Sequence, residues 1–174
     1  MKNVIFHIDV NSAFLSWEAV YRLKNGGSVD LREIPSAVGG DKSKRRGIIL
    51  AKSIPAKAFG VRTGEPIVDA MRKCPSLTII PSHHGMYREF SKQFMDILRE
   101  YTPEVEKYSI DEAFMNMTGM ERLLGDPVAF AYKLKDRIKT DLGFTVNIGI
   151  SSNKLLAKMA SDFQKPDKVH TLFP

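Results

Sequence analysis

The chain has 174 residues, 43% of them hydrophobic and 26% charged, enough to bury the core of one domain or one and a half. Its net charge of +6 and pI near 9.4 point to a polyanionic partner, and the single cysteine, Cys74, excludes an internal disulfide and makes a cytosolic protein the default. "MKNVIFHID" reaches an Asp before any segment of signal-peptide length, and no apolar run approaches the roughly 20 residues that span a bilayer, so neither export nor membrane insertion is expected.

Residues 3 to 9, "NVIFHID", form an apolar run rich in β-formers and read as a buried strand ending at Asp9. A helix follows from about Ser12, with Phe14, Trp17, Tyr21 and Lys24 at helical spacing and Gly26-Gly27 closing it. Residues 25 to 77 are less regular. They hold the basic run "DKSKRRG" at 41 to 47, a short strand "GIIL", breaks at Pro55 and Pro66, and a short helix in "EPIVDAMRKCP", the pattern of an inserted subdomain. Taken alone, the basic run reads as a solvated loop. "SLTIIP" is the next strand, and "MYREFSKQFMDILREY" carries one apolar stripe of Tyr87, Phe90, Phe94, Ile97, Leu98 and Tyr101, which predicts a helix. Two strands come next, about 104 to 110 and 112 to 118, with the acidic pair Asp111 and Glu112 where they meet. "DPVAFAYKLKDRIKTDLG" offers Asp126 as N-cap, Pro127 at the first helical position, a stripe through Ala131, Leu134 and Ile138, and Gly143 as the stop. "FTVNIGI" reads as a strand, and Ser151 or Ser152 is expected to cap a last helix bearing Leu155, Leu156, Met159 and Phe163, which Pro166 ends.

With residues 25 to 77 set aside, the order is strand, helix, strand, strand, helix, strand. That order is ferredoxin-like, an α+β fold with a mixed antiparallel sheet and helices on one face. Its first and third strands lie side by side and antiparallel, so Asp9, at the end of the first, arrives next to Asp111 and Glu112, at the start of the third. Two carboxylates about 4 Å apart repel by roughly 4 kcal/mol at an effective dielectric near 20. Three of them at one sheet edge repel severely unless protonated or neutralised, and the simplest neutraliser is a hard divalent cation with oxygen ligands, with Mg²⁺ the natural candidate. Carboxylates that hold Mg²⁺ and leave positions for phosphate serve phosphoryl and nucleotidyl transfer, where two metals activate an attacking oxygen and stabilise a leaving one. The competing reading is structural, with Asp111 and Glu112 in an exposed hairpin turn and Asp9 capping the helix that follows. His83 and His84 lack the spacing of a zinc site and read as loop residues, and His7 is expected to pack within its strand.

The same residues resemble a known family. "FHIDVNSAFLSWE" resembles the first motif of the Y-family, or translesion, DNA polymerases, "YSIDEAF" resembles their second, and "GISSNKLLAKMASDFQKP" is similar to their third. With "AKAFGVRTGEP" between them, the resemblance covers nearly the whole chain in the right order, and "DVN" brings it closest to the UmuC-type branch. It implies a palm over 1–24 and 78–165 and a small fingers subdomain over 25–77. Residues 166–174 would begin a linker to thumb and little-finger domains, which makes an amino-terminal fragment of a longer protein the expectation. The resemblance further implies that Asp9, Asp111 and Glu112 are the catalytic carboxylates, that they and the Val10 carbonyl hold two Mg²⁺ ions, and that Lys158 contacts the triphosphate. Phe14 falls at the steric gate, an aromatic ring under the incoming sugar that excludes a 2′-hydroxyl. The backbone N–H groups of Ser12 and Ala13 open a helix where phosphate would be received, which helix physics allows independently.

The chain also departs from the commoner family pattern. Where many relatives contact the triphosphate with Tyr and Arg, it has Ile54, which donates nothing, and Lys57, a point charge in place of a planar fork. Ala13 replaces a bulkier aromatic and Asn11 an acid. The implied activity is template-directed DNA synthesis past damage in the cytoplasm, on primer–template DNA and deoxynucleoside triphosphates, with a sliding clamp met through the region beyond this chain. Three rivals remain in view. An aspartyl-phosphate phosphatase needs a second acid at position 11, which is Asn here, and a nucleotide cyclase leaves Phe14 and the inserted basic subdomain unexplained. A basic accessory module without catalysis predicts salt-sensitive DNA binding independent of Mg²⁺.

Overall fold

The protein is described from a computed structural model covering residues 2–40 and 47–174; most of the basic run "DKSKRRG" lies outside the described residues. In chain order the elements are β1 (Ile5–Val10), α1 (Ala13–Lys24), β2 (Ser36–Gly39), β3 (Ile49–Lys52), α2 (Ile54–Ala58), α3 (Ile67–Lys73), β4 (Thr78–Pro81), α4 (His84–Arg99), β5 (Val105–Lys107), β6 (Glu112–Asn116), α5 (Glu121–Leu124), α6 (Pro127–Leu142), β7 (Val146–Ser151), α7 (Lys154–Ser161) and β8 (Val169–Thr171). They form two compact units, Met1–Asn11 with Arg88–Pro174, and Ser12–Tyr87.

The first unit is built on a five-stranded sheet in the order β5-β6-β1-β7-β8. Every pairing in it is antiparallel except β7 with β8. Its first four strands reproduce the ferredoxin-like order, with β1 and β6 adjacent as the sequence predicts. Alternation along β1 assigns the two faces. Phe6 points to α6, where its ring lies 6.2 Å from that of Phe130, while Phe144 packs edge-on against Phe90 and Phe94 of α4. His7, the next residue, turns the other way and meets Ser161 of α7 at 2.7 Å. Helix α7 therefore covers the face opposite α6, an addition to the expected set of helices on one face.

Gly149 makes that close packing of α7 possible. It stands opposite His7 on β7, and a Cβ there would come within 1.9 Å of the Ala157 carbonyl oxygen and 2.4 Å of the Ser161 nitrogen, both helix backbone. Local chemistry defines the helices of this unit. Asp126 caps α6 by accepting from the Ala129 N–H at 2.9 Å, and Gly143 ends it with φ +83°, both as predicted. The cap of α7 is Asn153, which accepts from the Leu156 N–H at 2.9 Å, and neither Ser151 nor Ser152 does so. Ser151 is unavailable because it is the buried last residue of β7 and bonds the Leu172 carbonyl.

The second unit holds a three-stranded sheet in the order β3-β2-β4, antiparallel on one side of β2 and parallel on the other. A bulge sets Val38 against Ala51 but Gly39 against Ile49, so Leu50 is the extra residue. Ile49 thereby joins Ala37, Ala56, Val61, Ile67 and Leu77 in one core, while Ala51 and Val38 join Leu15 and Ala19 of α1 in another. Strand β4 belongs to this sheet, and α1 packs on it, so the compact units divide at 11 and 87. The physical reason is β2, four buried residues without strand periodicity in the sequence, which recruits both flanking elements.

Replacing Gly149 by Ala tests the helix contact. Because the obstruction is backbone, α7 must shift as a body, and a loss on the order of 3 kcal/mol in urea denaturation is expected.

Candidate active site

The β1–β6 register places Asp9 directly opposite Glu112, and the Val10 N–H donates to the Asp111 carbonyl at 2.9 Å. The turn before β6 is held tightly. Tyr108 and Ser109 N–H groups donate to the Glu112 carbonyl at 3.0 and 3.2 Å, and the Ser91 hydroxyl of α4 donates to the Ile110 carbonyl at 2.5 Å. The Ser109 hydroxyl lies 2.8 Å from Asp111 Oδ1 and 3.1 Å from Glu112 Oε2, so it can donate to either carboxylate. The three predicted acids and Val10 thus share one sheet edge, and the reading of Asp9 as a helix cap fails: the residue before α1 is Ser12, which makes no side-chain cap bond.

Two lysines neutralise the edge. Lys158 of α7 pairs with Glu112 and stands 4.9 Å above the Tyr108 ring, while Lys165, just beyond α7, pairs with Asp9 and reaches Asp162 at 3.0 Å. Lys165 is a residue that sequence reasoning missed. "QKP" carried the cation, but only the path of the chain after α7 brings it to Asp9. Burial pushes the Asp9 carboxyl up to about 6 from 3.8, and Asp111 and Glu112 add to the rise that Lys165 opposes. Burial acts the same way on Glu112, yet its bond to Lys158 prevails and holds it below the ordinary carboxylate range. Both lysines are raised although burial works against them, because each gains a carboxylate partner.

His7 completes this corner. Its Nε2 lies 3.1 Å from Glu112 Oε1 and its Nδ1 2.7 Å from the Ser161 hydroxyl. Burial, then the Lys158 charge, lowers its pKa to about 4, so the ring is neutral and carries one proton, on Nε2 toward the carboxylate or on Nδ1 toward the hydroxyl. The approach of Lys165 is set by a buried amide pair. Asn147, opposite Asp9 on β7, donates to the Ser161 and Gln164 carbonyls at 2.9 and 2.7 Å and accepts from Asn11 at 3.1 Å and from the Lys168 N–H at 3.2 Å. Asn11 in turn accepts from the Asp167 N–H at 3.1 Å. An amide at position 11 can donate to Asn147, which an acid there could not.

Among the described residues no three His, Cys, Asp or Glu side chains converge as a ready ligand set, because Asp9 and Glu112 are turned to their lysines. The donor chemistry nonetheless fits a hard cation: carboxylate oxygens at one edge, one of them with a raised pKa that added positive charge would relieve.

The remaining predicted residues lie in the second unit. Helix α1 starts at Ala13 with Ser12 in the left-handed conformation, φ 44°, no side-chain cap and no acid in the first turn, so its leading N–H groups are available to an anion. Phe14 is half-buried, stacked on Tyr87 with centroids 4.6 Å apart and planes at 13°. On α2, Ile54 is 59% exposed and Lys57 is exposed. Burial and the Lys57 charge lower the pKa of Lys52, so Lys52 is a second cation beside Lys57 that sequence reasoning did not single out.

The raised Asp9 pKa has a measurable consequence. Between 3.8 and about 6 the folded chain binds the Asp9 proton more than the unfolded one does, so stability from this group is present at low pH and lost as pH rises through 6. His7 works oppositely, its contribution fading as pH falls from 6.5 toward 4. Comparing the chain with Asp9→Asn removes the overlap: above pH 6 and without divalent cations the variant should be the more stable by about 1 to 2 kcal/mol, vanishing near pH 4. Thermal melts across that range check it.

Comparison with known proteins places the chain in a family. The chain is 54% identical over 173 residues to DNA polymerase IV of Clostridium acetobutylicum and 40% identical over 169 residues to that of Acetivibrio thermocellus. These alignments cover 99% and 97% of the chain but only 43% and 41% of the relatives, so it spans about two fifths of their length. Among solved structures, DinB from Sulfolobus solfataricus matches with a TM-score of 0.85 at 26% identity, covering 98% of this chain and 48% of that one. An insertion ternary complex of Dbh DNA polymerase matches at 0.84 and 28%, covering 98% and 49%. The model of the impB/mucB/samB family matches residues 8–162, from the strand that carries Asp9 to the end of the helix that carries Lys158, and by that match the chain belongs to this family, that of the Y-family polymerases.

Proposed function

We propose that the chain carries the catalytic carboxylates and part of the nucleotide pocket of a template-directed DNA polymerase that copies damaged templates. The reaction is attack of a primer 3′-oxygen on the α-phosphate of a deoxynucleoside triphosphate, with pyrophosphate leaving. The observation that supports this most is the register of β1 against β6, which sets Asp9 facing Glu112 beside Asp111. Asp9, Asp111, Glu112 and the Val10 carbonyl would hold two Mg²⁺ ions, which when bound supply the charge that activates the attacking oxygen and steadies the leaving one. His7 and Ser109 orient the Glu112 carboxylate, and Ser109 also reaches Asp111. Lys158 and Lys165, which pair with Glu112 and Asp9 here, would supply cations for phosphate oxygens, and Lys57 with Lys52 would add charge where Ile54 has none. The N–H groups of Ser12 and Ala13 would receive phosphate, and the Phe14 ring would lie under the sugar.

In this reading the first unit is the palm, the three-stranded unit holds the fingers, and 166–174 leads toward thumb and little-finger domains. Primer–template DNA and deoxynucleoside triphosphates are the substrates, and a clamp would be met outside this chain. Affinity with the UmuC-type branch rests on Asn11 and "DVN", whereas the DNA polymerase IV names of the relatives favour the other branch. No helix among the described residues is long and apolar enough to cross a membrane, and cytoplasmic action follows from the chemistry proposed.

Calorimetric titration with a non-hydrolysable deoxynucleoside triphosphate tests the proposal. Binding with Kd between about 1 µM and 1 mM is expected with Mg²⁺ and is lost without it or in Asp111→Ala. Equal binding with and without metal would remove the polymerase reading and favour a non-catalytic DNA-binding module.

A further inference from the structure

Glu18 has no part in the chemistry described so far, yet it is a carboxylate on α1 with 1% exposure, one turn beyond Phe14. A buried carboxylate is costly unless its oxygens are engaged. One oxygen accepts from the Tyr87 hydroxyl at 2.7 Å and from His83 Nδ1 at 2.5 Å. Tyr87 is fully buried, and burial together with Glu18 keeps its phenol well above the ordinary range, so it stays a donor. The same Tyr87 ring backs Phe14 at 4.6 Å, with Trp17 tilted at 5.9 Å from Tyr87 and His84 edge-on to Phe14 at 6.0 Å. Apolar packing would hold the Tyr87 ring but leave it free to slide in its plane. A directional bond to a carboxylate fixes where along that plane the ring stops.

We infer that Glu18 is a positioning residue for sugar selection: by anchoring the Tyr87 hydroxyl it fixes the plane on which Phe14 stacks, and so sets the clearance available to a 2′-substituent of the bound nucleotide. The inference rests on Phe14 acting as the ring under the sugar. Exclusion of one hydroxyl depends on displacements well under 1 Å, so a ring with a loosened backing admits what a fixed one rejects. His83 bonds the same carboxylate oxygen and, as a second tether, keeps Glu18 from turning away from Tyr87.

The test is single-nucleotide incorporation by the full-length protein on a primer–template with Mg²⁺, comparing kcat/KM for a deoxynucleotide and its ribonucleotide. Glu18→Gln retains an acceptor for Tyr87 and should keep the ratio within about twofold. Glu18→Leu and Tyr87→Phe should each lower it about tenfold through improved ribonucleotide use, with deoxynucleotide kcat/KM within about threefold, and combining them should add little. Tyr87→Phe changes one atom and guards against misfolding of the Glu18 variant. An unchanged ratio in Tyr87→Phe, or equal losses with both sugars, overturns the inference. Phe14→Val separates the two levels: if it collapses the ratio while Glu18→Leu and Tyr87→Phe do not, only the role of Glu18 falls. If Phe14→Val leaves the ratio intact, or the wild type incorporates nothing, the reading of Phe14 or of the polymerase falls and takes the inference with it.

Discussion

The antiparallel pairing of β1 with β6 is the constraint on which the rest depends. It sets Asp9 opposite Glu112 with Asp111 one residue away, a placement that hydrophobic folding alone would penalise by several kcal/mol. The sheet tolerates it because Phe6, Ile8, Ile148 and Ile150 of the neighbouring strands are buried almost completely, so the strands cannot slip to separate the acids. A shift of one residue would send those side chains to the other face. Core packing thus enforces a polar arrangement that the acids alone would not adopt.

Neutralisation of the acids then shapes the next layer. Helix α7 lies so close to β7 that only glycine fits at 149, and that closeness brings Lys158 to Glu112 and Ser161 to His7. The segment beyond α7 is tied down by Asn147 and Asn11, which return Lys165 to Asp9. Each lysine stands on a carboxylate that the proposed function assigns to metal, so in that reading the cations proposed for phosphate and the anions proposed for metal are stored against one another. Burial pushes the Asp9 pKa up to about 6, a cost that added positive charge beside it would relieve.

The second unit solves a different problem, the support of an aromatic ring. Its bulge at Leu50 separates the core beneath α2 and α3 from the core beneath α1, and α1 presents Phe14 and Glu18 on adjacent turns. Tyr87 and His83, contributed by the start of α4 and the residue before it, connect those two side chains. The histidines at 83 and 84, unremarkable as a pair in sequence, therefore differ in function: one bonds a buried carboxylate and the other packs edge-on against aromatic rings.

Much of this was legible beforehand wherever the signal was local. The stripe of α4, the Asp126 cap and Gly143 stop of α6, and the ferredoxin-like order of the large sheet follow from periodicity and capping chemistry, as does the convergence of Asp9 with Asp111 and Glu112 once that order is recognised. What failed was non-local. Strand β2 has no alternation because both its faces are buried, so its capture of β4 and α1 left no pattern to read. The Lys165–Asp9 pair and the Glu18–Tyr87 bond join residues 156 and 69 positions apart, and nothing in either stretch names its partner. By itself the sequence determined the long helices, the first four strands of the large sheet and which acids meet, because backbone propensity and strand order act through neighbouring residues. Only the tertiary structure decided which cations answer those acids and what backs the Phe14 ring, because ion pairing and ring packing depend on distances in space that chain separation does not encode.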